Sequence, residues 1–367
     1  MSYWNLFIWS SLEKNMEEVL EKYSLGKLEN IEQIKSGLIN ATFKIDTTEG
    51  KFILQEIRDK HMAHDHDSLE RYLGDKSPDI KIPTQLKTNK GEVYVENEGR
   101  NYRVMEYIES QNINSLTPEL CYNLGEALAN FHLQTKGFNE KLEYSIPDFH
   151  NTPKIIDKLE KIKNENMGTK KWELVSSYYN KIRDDVQTLL RVTPLQNLPS
   201  RLIHGDPKWQ NFLYEDGKVN AIIDLETLMY GHELTDIGDA LRSWSKDEDY
   251  NFIMENYKSA LAGYFSKNQN FISRHNPNGS GLPTIDMIPN SMALITLELS
   301  ARFLIDYFEQ SYFGNRKTNW DSEENFRRLE RQMKFYEDMK SKLDLSISGE
   351  ELFTEVSHKN FAEGWFS

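Results

Sequence analysis

Only one cysteine, Cys121, occurs in the 367 residues, so no internal disulfide can form and a reducing compartment is the expected setting. No window approaches the ~20 consecutive apolar residues of a membrane-spanning helix. The aromatic start MSYWNLFIWSSLEKN has no basic leader, and its apolar run is too short for a signal peptide. A cytoplasmic protein with no membrane partner is the expectation. Basic residues are also scarce: 44 Lys and Arg against 58 Asp and Glu give a formal charge of −14 and a pI near 5.2. That balance argues against the concentrated basic face that nucleic acid requires. It leaves room for a nucleotide, which magnesium and a local cradle of donors can hold. Internal repeats and low-complexity tracts are missing too. What remains is a chain long enough for two domains or one two-lobed body with a sizeable core.

The hydrophobic period changes once along that chain. A helix-like stretch over 11–23 is followed by short β-like runs, IEQIK, NATFKIDT and KFILQEI, then TQLKT, EVYVE and NYRVMEYI. Glycine-bearing turns separate them at Thr48-Glu49-Gly50, Asn89-Lys90-Gly91 and Asn97-Glu98-Gly99, and a short helix is read over 68–73. Residues 1–108 therefore read as a mostly antiparallel sheet lobe with an N-terminal helix, and the polar residues 109–116 as a hinge. Residues 117–367 read as a helical lobe. Thr117-Pro118-Glu119 opens its first helix, to about Gln134, with proline at the first helical position. Further helices are expected over 154–164, 171–190, 235–243, 249–265, 291–308 and 323–343. An exposed loop is read over 268–289, and the tail over 346–367 carries enough apolar residues to dock. The expectation is an α+β two-lobe body with a ligand cleft.

One stretch interrupts the helices: LIHGDPKWQNFLYEDGKVNAIIDLETLMYGHELTDIGDALRSW, from Leu202 to Trp244. Ile203, Phe212 to Tyr214 and Val219 to Ile223 read as strands, with Glu215-Asp216-Gly217-Lys218 as the turn between the last two. Asp206 and Asn211 then sit on a loop feeding one arm of a hairpin, and Asp224 ends the other arm. A loop on a rigid hairpin is where catalytic groups are usually held. Phosphoryl transfer asks for such a set: a carboxylate to accept or orient a hydroxyl proton, and oxygen ligands for magnesium. Taken alone, His-Gly-Asp-Pro also makes a tight turn. The joint pattern of HGD-x4-N followed by an apolar strand ending in Asp is far more specific. His204 is read as bracing the loop. Asp236, Asp239 and Arg242 are read as helix cap and brace, with Thr235 or Asp236 as the cap. Glu226 is either a further oxygen near the site or a structural group. Gly37, within Ser36-Gly37-Leu38-Ile39-Asn40, permits close backbone approach to phosphates, although a lone glycine there also fits a plain turn. Glu298, Arg302 and Asp306 form a polar stripe at i, i+4 and i+8. It reads equally as intrahelical ion pairs or as an arginine held toward a polar substrate.

With those residues in hand, the chain resembles the aminoglycoside phosphotransferase/choline kinase superfamily, which has the protein-kinase-like fold. The HRD and DFG motifs of a protein kinase proper do not occur. GLINATF, KFILQEI, FHNTP (Phe149–Pro153), IDLETLMYGHELTDIGDALRS and LELSARFLIDYFEQSYF are most similar to N-acetylhexosamine 1-kinases, which phosphorylate the anomeric hydroxyl of the sugar. The likeness spans about residues 31–313. It implies Asp206 as catalytic base and Asn211 and Asp224 as metal ligands. It places Gly37 and Asn40 in the phosphate loop and Met105, Glu106, Tyr107 and Ile108 in the adenine hinge. Arg302, Asp306 and His150 fall on the sugar side. ATP and magnesium are the implied cosubstrate and ion, with a small-molecule acceptor as the partner and a monomer expected.

Two departures bear on the acceptor and the nucleotide. Gln55 stands where most of the superfamily has a lysine on the third strand, which leaves phosphate neutralisation to magnesium and other donors. Pro207, Trp209 and Glu226 differ from the hexosamine-kinase pattern beside the acceptor pocket, with Trp209 able to stack on a sugar ring or simply to pack. The alternatives are therefore a related kinase of an amino-alcohol, homoserine-like or aminoglycoside hydroxyl, and a non-catalytic nucleotide- or sugar-binding pseudokinase.

Overall fold

The alternation in the first third of the chain becomes one sheet. A computed structural model describes residues 15–34, 41–74, 76, 79–193, 195, 198–269, 287–311 and 322–343. In it β1 (Leu28–Ile34), β2 (Thr42–Thr47), β3 (Gly50–Ile57), β4 (Val95–Asn97) and β5 (Arg100–Glu106) pair antiparallel in the order β1-β2-β3-β5-β4. Successive side chains take opposite faces. Phe43, Ile45, Leu54, Tyr102 and Val104 share one face, where Met16, Val19, Leu20 and Tyr23 from the helical stretch at 15–20 and the turn after it complete a core. The other parity, Ile53, Gln55, Arg103 and Met105, lines a cleft.

TQLKT does not extend the sheet: it makes an isolated bridge, Gln85↔Met105. The Gln85 N–H donates to Glu70 Oε2 and its side-chain amide to the Ala63 carbonyl, both at 3.0 Å, so a neighbouring helix holds Gln85, while the Leu86 N–H and the Thr84 carbonyl each bond β5 at 2.9 Å. That helix, α1 (His61–Leu73), starts well before the stretch read as helical, because Met62, Ala63, Asp65 and His66 are buried despite the polar look of HMAHDH.

In the helical body, Thr117 accepts the Leu120 N–H at 3.2 Å and Pro118 takes the first position, so α2 (Pro118–Gln134) opens as its cap sequence dictates. Then come α3 (Thr152–Asn166), α4 (Lys170–Val192), α5 (Glu233–Trp244), α6 (Met254–Lys267), α7 (Met287–Glu309) and α8 (Ser322–Lys342). α2 and α6 cross in close contact through two glycines. A Cβ on Gly125 would lie 2.0 Å from the Ala260 carbonyl oxygen, and one on Gly263 would lie 1.9 Å from that of Tyr122. α7 is long and apolar enough by composition to cross a membrane, yet 83% of its most apolar window is buried, packed against α5 and α8. Here it is the central core helix.

Two starts differ from the sequence reading. α5 is capped by His232, whose Nδ1 accepts the Leu234 N–H at 3.0 Å, which leaves Asp236 free to turn inward. α6 begins at Met254 because Asp247 binds the Asn251 N–H and side-chain amide, both at 2.8 Å, folding the preceding residues into a turn. Of the expected loop over 268–289, residues 287–289 instead begin α7, while 270–286 and the tail over 346–367 lie outside the described residues.

Several hydrogen bonds tie the first lobe to the helical body, among them those of Ser110, Gln111 and Lys81. The Gln111 N–H donates to the Tyr214 carbonyl at 2.8 Å, and Ser110 Oγ accepts the Tyr214 N–H at 3.0 Å. The Lys81 N–H reaches the Asn220 carbonyl at 3.1 Å, while the Ile222 N–H reaches the Lys81 carbonyl at 2.9 Å. The result is an α+β body of two lobes whose facing surfaces leave the cleft between them.

Candidate active site

The cleft has about 390 Å³ of free volume. Its floor is the loop between β6 (Arg201–Ile203) and β7 (Phe212–Glu215), where β7 forms a hairpin with β8 (Lys218–Ile222). Gly205 adopts φ +85°, and a Cβ there would sit 2.3 Å from the Thr227 carbonyl oxygen, so only glycine fits this turn. The loop is clamped from below by Asp236. Its carboxylate accepts the His204 N–H at 2.7 Å, the Gly205 N–H at 2.8 Å and His132 Nε2 at 3.0 Å. Burial alone would raise the pKa of this carboxyl, but these donors together hold it below the usual range. His204 Nε2 donates to the Ile223 carbonyl at 2.9 Å, and Trp244 Nε1 to that of Pro207 at 3.0 Å. His204 braces the loop, as its position suggests.

Three residues of the motif meet above this clamp. The Asn211 amide nitrogen donates to the Asp206 carbonyl at 2.8 Å, so the amide oxygen is the end offered to a cation. The Ile223 N–H donates to the Asn211 carbonyl at 2.8 Å, which ties the two arms of the hairpin together. Asp224 then turns through the left-handed region at φ +64°, a conformation Asp tolerates better than most residues. The Lys208 ammonium lies 2.7 Å from Asp206 Oδ2 and 3.5 Å from Asp224 Oδ2. One cation thus touches both carboxylates. Withdrawal from water raises the Asp206 pKa, and Lys208 opposes that rise. The Asp224 carboxylate and the Asn211 amide oxygen are hard oxygen ligands of the kind magnesium takes beside phosphate oxygens and waters.

Elsewhere in the cleft lining, His150 sits at φ +53° with its imidazole between two acceptors. Nδ1 is 3.0 Å from Glu298 Oε1, and Nε2 donates to the Gly205 carbonyl at 2.7 Å. Glu298 Oε2 accepts the Thr152 hydroxyl at 2.6 Å. The Arg302 guanidinium lies over the Phe149 ring at 5.0 Å, and both line the cleft with the Asp239–Arg242 ion pair, 2.7 Å apart. Glu298 is therefore engaged by His150 and Thr152, and the stripe on α7 is not a simple chain of intrahelical pairs.

The remaining expected site residues divide between the cleft and other places. Asp306 is buried and accepts the Ser311 N–H at 2.7 Å and the Asn325 amide at 3.0 Å, so it fastens the end of α7 and does not line the cleft. Trp209 packs on the helical core, with its carbonyl accepting the Tyr214 hydroxyl at 3.1 Å, and it too is absent from the cleft lining. Of the hinge residues, Met105 lines the cleft. The Glu106 carboxylate is spent on the Thr84 N–H at 3.1 Å, the Tyr107 ring lies under Lys44 at 4.7 Å, and Ile108 is half-buried. Gln55 lines the cleft and accepts Arg103 Nε at 2.8 Å. Gly37 and Asn40 lie outside the described residues. Sequence reasoning missed Lys208 and Arg103. The signals were available: Lys208 follows Asp206 by two residues, and Arg103 has the inward parity of its strand.

Comparison with known proteins bears on all of this. A profile of the phosphotransferase enzyme family (APH) matches residues 30–266, well over half of the chain. A homoserine kinase of Bartonella tribocorum is 24% identical over 254 residues, covering 68% of this chain and 76% of that protein. One of Methylobacillus flagellatus is 22% identical over 260 residues, covering 68% and 75%. These relatives are named homoserine kinases, not the N-acetylhexosamine 1-kinases that the motifs resemble. Among solved structures, an aminoglycoside phosphotransferase from Alicyclobacillus acidocaldarius superposes with a TM-score of 0.61 at 14% identity, covering 89% of this chain and 96% of that one. The microcompartment-associated aminopropanol kinase gives 0.61 at 18% identity, covering 90% and 97%. At those identities the likeness concerns the fold, which is the protein-kinase-like two-lobe fold. The family match over residues 30–266, on a chain folded in this way, identifies it as a member of the phosphotransferase enzyme family, the small-molecule kinases with an alcohol group as acceptor.

Proposed function

We propose that this protein transfers the terminal phosphoryl group of ATP to the hydroxyl of a small, charged amino alcohol or homoserine-like acceptor. Asp206 takes up or orients the hydroxyl proton as that oxygen bonds to the γ-phosphorus; the bond from phosphorus to the bridging oxygen breaks, and ADP leaves. Asn211 and Asp224 would hold magnesium, which would supply charge neutralisation on the phosphates. The observation that carries the reading is the Lys208 ammonium within 2.7 Å of Asp206 and 3.5 Å of Asp224, since two acids converging on one cation is the arrangement this chemistry needs. A pseudokinase has no physical need of that arrangement.

The acceptor end supports the choice of substrate. It holds charges of both signs, Asp239 with Arg242 and Glu298 with His150, beside Arg302. Such a lining suits an acceptor carrying its own ammonium or carboxylate better than a neutral sugar, and the homoserine kinase relatives point the same way. One observation favours a second reading, an N-acetylhexosamine phosphorylated at its anomeric hydroxyl: the Phe149 ring in the FHNTP segment lines the cleft beside Asp206, where it can face a sugar ring.

The test is ADP release with ATP and magnesium over homoserine, aminopropanol, N-acetylglucosamine, N-acetylgalactosamine and an aminoglycoside, with phosphorus NMR of the product. Turnover of an amino alcohol or homoserine supports the first reading. An anomeric phosphate on an N-acetylhexosamine establishes the second. Nucleotide binding without turnover of any alcohol sinks both.

A further inference from the structure

We propose that Arg103, reaching across from β5, supplies the fixed cation for the nucleotide's phosphates that the neutral Gln55 on β3 cannot. The proposal rests on the ATP-dependent reading above and names the residue that completes its phosphate site.

Register makes the substitution possible. Gln55 and Arg103 are directly paired across β3 and β5, so their side chains emerge side by side on the cleft face. A cation lost from one strand can therefore be supplied by its neighbour over almost the same ground. The guanidinium is carefully placed. Nε donates to Gln55 Oε1 at 2.8 Å, one terminal nitrogen lies 3.4 Å from His66 Nδ1, and the other lies 3.5 Å from Glu226 Oε1. His66 Nε2 donates to the Pro83 carbonyl at 2.8 Å, which leaves Nδ1 as an acceptor and fixes that contact as a hydrogen bond from Arg103.

The charge is incompletely answered by these partners. Arg103 is 2% exposed, and a guanidinium keeps its charge even when buried. Charge-assisted contacts to a carboxylate normally close to about 2.7–2.9 Å. The 3.5 Å to Glu226 is loose, and Gln55 and His66 are neutral acceptors. Arg103 lines the same cleft as Asp224, whose negative charge it feels. A guanidinium has five N–H donors in a planar fork, so the network leaves donors for a phosphate. Gln55 changes role accordingly: it no longer carries charge but aims the guanidinium that does.

Calorimetric binding of MgADP and of adenosine to the full chain separates this role from a structural one. In Arg103→Gln, MgADP binding is expected to weaken at least about tenfold and adenosine binding by no more than about twofold. Arg103→Lys should recover part of the loss, and so should Gln55→Lys added to Arg103→Gln, which returns a cation to β3. Glu226→Gln keeps Arg103 and should hold or tighten MgADP. Equal weakening of adenosine and MgADP in Arg103→Gln would overturn the proposal. So would unchanged MgADP binding, or matching losses in Arg103→Gln and Glu226→Gln, which would mark a structural ion pair. If the wild-type chain itself binds neither ligand, the kinase reading falls and this proposal with it. If it binds MgADP and Arg103→Gln binds equally well, only the assignment to Arg103 falls.

Discussion

His150 offers a prediction that depends on hydrogen-bond geometry before any titration is considered. Both of its ring nitrogens face oxygens that can only accept, a carboxylate at 3.0 Å and a carbonyl at 2.7 Å. Two acceptors require two N–H groups, which only the imidazolium possesses. Burial alone would lower the pKa of this ring; the Glu298 carboxylate first, then Asp239 and the Gly205 carbonyl, outweigh it and hold the pKa at about 9, against an ordinary 6.5. At about 1.36 kcal/mol per unit, the imidazolium contributes roughly 3 kcal/mol. The side chains of His150 and Glu298 are 6% and 1% exposed, so solvent screening takes little from that figure. Glu298, held below its usual range mainly by His150, reports the same interaction and is not counted again.

The sign follows from the raised value. The stabilisation is fully present below pH 6.5 and is lost as pH rises through about 9. Glu298→Gln removes the carboxylate, and the ring should then titrate below 6.5. Two measurements check this: the His150 Cε1–H resonance followed by NMR against pH, and urea unfolding of wild type and Glu298→Gln at pH 6.5 and 9.5. The stability gap between the two proteins should shrink by up to roughly 3 kcal/mol over that range. A His150 resonance titrating near 6.5 in the wild type, or a gap that does not change with pH, would refute the reasoning. Because His150 donates to the carbonyl just before Asp206, kcat should also fall as the imidazolium is lost.

Other expectations follow from the same site. Asp206→Asn should lower kcat by about 10²–10⁴-fold while MgADP binding by calorimetry stays near wild type, and surviving turnover would remove Asp206 as the base. Asp224→Asn should raise the magnesium concentration needed for half-maximal activity, read from a magnesium titration; an unchanged requirement would place the ion elsewhere. Gly205→Ala puts a Cβ 2.3 Å from the Thr227 carbonyl at φ +85°, and should cost about 1–3 kcal/mol in urea unfolding together with most of the activity. Asp236→Ala leaves the His204 and Gly205 N–H groups without their acceptor in a buried site. It should cost about 3–5 kcal/mol, and a protein of wild-type stability would show that the clamp is not needed.

Much of this site was legible in linear order, for reasons particular to its residues. A hairpin is a local structure, so Asp206, Asn211 and Asp224 are brought together by contacts within about one turn of chain, and their spacing already implies convergence. The helix caps at Thr117 and the proline after it are likewise local. What was not legible shares one cause. Trp209 and Asp306 have chemistry suited to a sugar pocket, but which way a side chain points depends on packing from distant elements, and both turn into the helical body. Asp236 was read as a brace of the catalytic loop and a possible cap; it does brace the loop, but the cap is His232, and the burial of Asp236 involves His132 in α2, more than a hundred positions away.

Composition and spacing alone determined the α+β class, the change from sheet to helices, and an oxygen-rich phosphoryl-transfer motif on a hairpin, because those rest on short-range periodicity and turn chemistry. Tertiary structure alone decided that Arg103 stands beside Gln55 and that His150 is held between Glu298 and Gly205. Strand pairing and helix packing bring those groups together across the chain, and the charge each carries or attracts depends on its neighbours in space.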